Sequence, residues 1–149
     1  MFYGEFHQNI DDKGRVIIPS KYRASLGTVF YITKDLWNQD DEKCLCIYPQ
    51  EAFDTLREKL RNLSKGPKQS RALSRTFYAS VQDSTIDKQG RVLINADLKN
   101  HASLTREIVF VGLDDHIEVW DQAKWEAYNE SESIDMDGSL AESLGALGI

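Results

Sequence analysis

Two short groups of charged residues carry the most chemical information in this chain. Asp11, Lys13 and Arg15 stand in Ile10-Asp11-Asp12-Lys13-Gly14-Arg15-Val16-Ile17-Ile18-Pro19. Asp87, Lys88 and Arg91 stand in Ile86-Asp87-Lys88-Gln89-Gly90-Arg91-Val92-Leu93-Ile94-Asn95. The shared pattern is Ile-Asp-x-x-Gly-Arg-Val-(Ile/Leu)-Ile, and the two copies keep a constant offset of 76 positions. A match of this length at fixed register marks an internal duplication. An Asp followed by two polar residues and a Gly is turn chemistry, because the carboxylate accepts backbone N–H bonds and Gly tolerates positive φ. Two roles are open to such a turn. It is a salt-bridged structural turn, with Asp paired to the Arg four residues on. Alternatively, it is a rigid mount, shaped by Asp11, Gly14, Asp87 and Gly90, that presents Lys13, Arg15, Lys88 and Arg91 to an anion.

The elements that would hold these turns repeat as well. Val16-Ile17-Ile18 and Val92-Leu93-Ile94 are continuous apolar β-formers, which predicts short strands covered on both faces. The Met1–Phe6 start predicts a strand with Phe2 and Phe6 in the core. Pro19-Ser20 opens a helical turn, with Ser20 as N-cap, Tyr22 and Leu26 facing inward and Gly27 as the stop. Strands at Val29–Ile32 and Leu45–Tyr48 flank a polar loop, Lys34 to Lys43, anchored by Leu36 and Trp37. Phe53, Leu56, Leu60 and Leu63 lie at helical spacing and predict an amphipathic helix. Ser64 to Pro67 interrupts it, and a second helix follows over Lys68 to Ser80 with Ala72, Leu73, Thr76 and Phe77 inward. The second copy runs in parallel: turn and strand at Ser84–Ile94, helical turn at Asp97–Ala102, strands at Ile108–Val111 and Ile117–Trp120, helix from Ala123.

This divides the chain into a first repeat (1–63), a helical connector (64–83), a second repeat (84–129) and an acidic tail (130–149). The tail is expected to be mobile, with Leu140, Leu144 and Leu147 as a weak amphipathic turn. Neither half is large enough to bury a stable core alone. The expectation is therefore an α+β, mainly β protein whose two halves interleave into one pseudo-symmetric β core with flanking helices.

The net charge of −6 over 149 residues conceals an asymmetry. From Asp114 onward there are ten acidic residues and one basic, whereas residues 1–113 hold 17 basic and 14 acidic. A polyanionic partner for the first part is thus not excluded by the sum. Residues 57–75 carry seven Lys/Arg against Glu58 alone, which reads as a solvated helical face, an auxiliary phosphate contact or a surface for an acidic partner. Cys44 and Cys46 read as buried free thiols, since His7, His101 and His116 are too scattered to complete a zinc site. No cofactor is expected. There is no nucleophile–base pair and no Gly-rich phosphate loop, which argues against an enzyme. No stretch approaches a membrane span and no N-terminal leader pattern is present, so the cytoplasm is expected.

On Met1-Phe2-x-Gly4, Asp11-x-x-x-Arg15 followed by Ile18-Pro19, Asp87-x-x-x-Arg91 and Ile117-Glu118-Val119-Trp120, residues 1–130 resemble the MraZ family of bacterial transcriptional regulators. The resemblance implies two swapped-hairpin halves, like those of AbrB and MazE, joined in one polypeptide. It also implies a ring-shaped homo-oligomer, commonly an octamer, that associates with the nucleoid. Such a ring would bind short direct repeats in double-stranded promoter DNA of the division and cell-wall gene cluster. Asp11, Arg15, Asp87 and Arg91 fall on the family's signature positions, with Lys13, Gly14 and Gly90 inside the motifs. Asn95 replaces a Pro usual after the second strand, which implies a less regular second half. The alternative from another class is an antitoxin-like protein-interaction module without direct DNA readout.

Overall fold

A computed structural model describes residues 1–38, 40–132 and 138–149. Its centre is a six-stranded antiparallel sheet, built from β1 (Glu5–Asn9), β3 (Phe30–Lys34), β4 (Leu45–Pro49), β5 (Gln82–Ser84), β7 (Glu107–Leu113) and β8 (His116–Asp121). The strand order is β1-β7-β8-β4-β3-β5. The exchange between halves is visible at both edges. First-half β1 pairs with second-half β7, Phe6 opposite Phe110, while β5, which the 76-residue offset aligns with residues 6–8 of β1, pairs with first-half β3, Tyr31 opposite Asp83. A second, two-stranded sheet joins β2 (Arg15–Ile17) to β6 (Arg91–Leu93), one strand from each half. The halves therefore interleave and share their strands.

β4 shows how the two faces of the large sheet are used. Leu45 and Ile47 enter one core with Val16, Val92, Tyr22 and Leu98. Cys46 and Tyr48, on the opposite face, enter a second core with Phe53, Leu60 and Phe77. Alternation along the strand makes this division inevitable. The two-stranded ribbon, α1 (Ser20–Leu26) and α4 (Ala96–His101) lie on the first face. The basic helices α2 (Gln50–Leu60) and α3 (Lys68–Ser80) lie on the second. Each fully buried aliphatic side chain contributes about 1.5–3 kcal/mol over its exposed state.

Several local expectations need correction. The Val-Ile-Ile and Val-Leu-Ile strands are not covered on both faces: Val16 and Val92 are buried, but Ile17 is 44% and Leu93 53% exposed. The ribbon has only two strands, so its outer face has no neighbouring layer. Ser20 is the first helical residue of α1 and caps nothing, Pro19 standing at the N-cap without a side-chain bond. Asn95 does not disturb the second half: its Oδ1 accepts from the Leu98 backbone N–H at 2.9 Å and caps α4. The first strand begins at Glu5 and not at Met1, although Phe2 is buried and bridges Asp114. In the polar loop Leu36 packs on the second core, whereas Trp37 is exposed. In α3, Phe77 is buried as expected, but Ala72, Leu73 and Thr76 are exposed and Ser74 and Ser80 take the inner positions. Toward the end of the chain α5 (Gln122–Glu132) runs past Asn129, and α6 spans Gly138–Ala146. Residues 133–137 of the expected mobile tail lie outside the described residues.

Candidate nucleic-acid interface

The two charged turns are built from the same bonds. In the first, Asp11 Oδ1 accepts from the backbone N–H of Lys13 at 2.9 Å and of Arg15 at 2.8 Å, and Oδ2 accepts from Arg15 Nε at 2.8 Å. In the second, Asp87 Oδ1 accepts from the N–H of Gln89 and of Arg91, and Oδ2 accepts from Arg91 Nε, each at 2.9 Å. Reciprocal backbone bonds close both loops: Asp11 N–H to Arg15 O at 2.8 Å, and Asp87 N–H to Arg91 O at 2.9 Å. Gly14 and Gly90 sit at φ 85° and 82°, where L side chains are strained. Both aspartates are held below the ordinary carboxylate range, first by the arginine backbone N–H and further by the arginine side chain.

Each carboxylate engages its arginine through Nε alone. The outer edge of the guanidinium, carrying its two terminal nitrogens, is not consumed by the pair. At this exposure the ion pair adds little through charge attraction, because solvent screens it. Its geometric effect is larger, since it fixes the direction of a long side chain that would otherwise sample many rotamers.

The ribbon brings the two arginines onto one surface. Arg15 lies opposite Leu93, and Ile17 opposite Arg91, with Val16 and Val92 pointing inward between them. Arg15 and Arg91 are therefore diagonal neighbours on the outward face, a placement that puts Cβ atoms roughly 7–8 Å apart. The turns also lock the ribbon to its partner half: Ile18 N–H donates to Gly90 O at 2.9 Å, and Ile94 N–H to Gly14 O at 2.8 Å. Lys13 and Lys88 are both exposed in the turns, but not at equivalent positions. Lys13 corresponds by the 76-residue offset to Gln89, and Lys88 to Asp12. The pseudo-symmetry holds at the arginines and breaks at the lysines.

Two further cations stand at these turns and were not read from the sequence. Arg23, in α1, donates from Nε to Ile18 O at 2.9 Å and lies against Gly90, so that a Cβ there would come within 2.5 Å of its guanidinium. Lys99, in α4, passes Gly14 with its methylene stem, its Cδ 3.7 Å from where a Cβ would stand. The two residues are also 76 positions apart. Each short helix of one half thus sends a basic side chain to the turn of the other half, a guanidinium from Arg23 and an alkyl stem from Lys99. The offset aligns the two residues in sequence, and the fold sets each beside the turn of the other half.

Cys44, Cys46 and Glu118 bring three possible ligand atoms within 4.8 Å of one another. Both cysteines are buried and free. The Cys46 hydrogen bond, then burial, push the Cys44 thiol far up, and Glu118 accepts from Trp120 Nε1 at 3.0 Å. Both side chains pack in the interior, Cys46 in the second core. No helix among the described residues is long and apolar enough to cross a membrane.

A family model described as "MraZ protein, putative antitoxin-like" matches the chain twice, over residues 1–76 and 77–144. The chain is 43% identical over its full 149 residues to the whole of a protein from Finegoldia magna named "Transcriptional regulator MraZ". A protein of the same name from Acetivibrio thermocellus is likewise 43% identical along the whole of both chains. Another, from Moorella thermoacetica, is 40% identical over 144 residues, covering 97% of this chain and 96% of that protein.

Proposed function

The chain belongs to the MraZ family, and from that premise we propose that it regulates transcription by binding double-stranded DNA through the ribbon that carries Arg15 and Arg91. The observation that carries this reading is the convergence of two identically braced arginines, one from each half, on one outward face. A two-stranded ribbon fits the major groove of B-form DNA, and arginine is the side chain that most often reads guanine there, through O6 and N7. In this reading Arg15 and Arg91 contact base edges. Lys13, Lys88, Arg23 and Lys99 contact the flanking phosphates, which position the protein without reading sequence.

One ribbon covers only a few base pairs, so reading a promoter requires several copies in register. A ring-shaped homo-oligomer, an octamer by family resemblance, would present the ribbon repeatedly along short direct repeats. The target by the same resemblance is the promoter of the division and cell-wall gene cluster, which places the protein in the cytoplasm at the nucleoid. The basic 57–75 segment lies on the other face of the large sheet and is not required for this contact.

The test is binding to a duplex taken from immediately upstream of the chain's own gene, followed by fluorescence anisotropy over a range of salt. Affinity is expected to fall steeply and linearly on a log–log plot, by about 0.9 per phosphate neutralised. Absence of binding, with capture of a basic protein partner instead, would favour the antitoxin-like interaction module.

A further inference from the structure

The outward face of the ribbon is not uniformly basic, and its pattern carries information beyond charge. Ile17 and Leu93 stand on it beside the arginines, each in direct register with the arginine of the opposite half. Direct cross-strand neighbours hold their Cβ atoms about 4.5–5.5 Å apart, so each apolar residue starts beside one arginine. The four side chains form a checkerboard of arginine and aliphatic with the pseudo-two-fold symmetry of the fold. A single exposed aliphatic residue needs no explanation. Two at symmetry-related positions, each facing an arginine, do. A surface made only to hold phosphate gains nothing from them. The core of a protein–protein contact, by contrast, is depleted in charged residues.

Resting on the DNA-binding reading above, we propose that Ile17 and Leu93 determine sequence specificity by contacting the 5-methyl groups of thymines in the major groove, next to the bases read by Arg91 and Arg15. The chemistry matches on both sides. In the major groove thymine presents the only apolar group on a base edge, while guanine presents the two acceptors a guanidinium takes. A register that seats an arginine on one base places the facing aliphatic side chain over a neighbouring position of the same groove. The occupant is duplex DNA because the apolar pair faces Arg15 and Arg91, whose aspartates engage only Nε and leave the terminal guanidinium nitrogens for a polyanion.

The experiment begins with selection from a random duplex library by the full-length protein. The best duplex is then resynthesised with deoxyuridine in place of thymidine, which removes the methyl groups and nothing else. Anisotropy at one fixed salt concentration should show about fourfold weaker binding for each contacted methyl, the factor carried by roughly one buried methylene's worth of surface. The Ile17→Ala/Leu93→Ala protein should bind the thymidine duplex more weakly and be indifferent to the deoxyuridine replacement. Both positions are exposed, so its melting curve should match that of the unsubstituted protein. An unsubstituted protein that does not distinguish the two duplexes overturns the inference, and this measurement depends on no variant. A double variant that keeps the full deoxyuridine penalty also overturns it. So does one that changes assembly size by light scattering while keeping the penalty, which would make the pair a subunit contact. If Arg15→Ala still weakens binding when the methyl groups prove irrelevant, the DNA reading stands without this inference. Recovery of no duplex at all would instead overturn the DNA reading itself.

Discussion

Asp11 and Asp87 use the same atoms for the same purpose, and this gives their turns a common pH response. Each carboxyl is held below its ordinary value of 3.8 in the folded protein. A group with a depressed folded pKa contributes stability that is present above its unfolded pKa and lost as pH falls through the folded one. Stability from these turns should therefore be constant from neutral pH down to the ordinary carboxylate range and decline only below it. Thermal melts between pH 6 and 3 should show a smaller acid-side loss for Asp11→Asn/Asp87→Asn than for the unsubstituted protein. An identical acid slope would remove the aspartates from the account. Gly14→Ala should be destabilising by about 1–2 kcal/mol from the left-handed backbone alone. It should lose more because the new Cβ would lie 2.8 Å from Ile94 O, on the other half. Chemical denaturation reads this directly. The pairing of Asp with Arg was legible from their spacing. The cations Arg23 and Lys99 were not, because a lysine or arginine on a short helix has no local signature; its meaning comes from the turn of the other half that it covers.

Among the elements, the ribbon and α3 show where periodicity misleads. Three consecutive apolar residues read as a strand buried on both faces, yet Ile17 and Leu93 alternate outward because the ribbon has no outer layer. In α3 the buried positions Ser74, Phe77 and Ser80 are spaced by three, but two of them are serines, so hydrophobicity selected the wrong stripe. Ser74 Oγ lies 3.0 Å from Ser64 Oγ and Ser80 Oγ donates to Phe77 O at 2.9 Å, which satisfies small polar groups at close approach. The short helices α1 and α4 occupy equivalent places but start differently, Pro19 in one and a capping Asn95 in the other. Asn95→Ala should therefore cost about 1 kcal/mol of stability. Ser20→Ala, which removes no cap, should lie within about 0.5 kcal/mol of neutral. Equal effects at the two positions in a denaturant titration would contradict the assignment of the cap.

At the scale of the whole molecule, the duplication was legible, and the two halves exchange strands in both sheets. The resulting sheet separates two basic surfaces, the ribbon on one face and the helices over 57–75 on the other. Charge counting alone could not make that separation. Truncation after Glu132 removes Asp135, Asp137 and Glu142 and no basic residue. From residue 141 onward no side chain is buried and only Leu144 is half-buried. The truncated protein should keep its melting temperature and bind non-specific DNA more tightly, most visibly at low salt, where screening is weakest. A large fall in melting temperature or in assembly size would show instead that the C-terminal helix docks on a neighbouring subunit. Central to the whole account is that the paired arginines read DNA from one composite face. Its most direct measurement is the affinity of Arg15→Ala, Arg91→Ala and the double variant for the duplex upstream of the chain's own gene, with folding checked by melting curves. Each single substitution should weaken binding by about 1–3 kcal/mol while the fold is retained. The double variant should fall to the level of non-specific DNA. Unchanged affinity in a folded double variant, or loss only in proportion to unfolding, would contradict it.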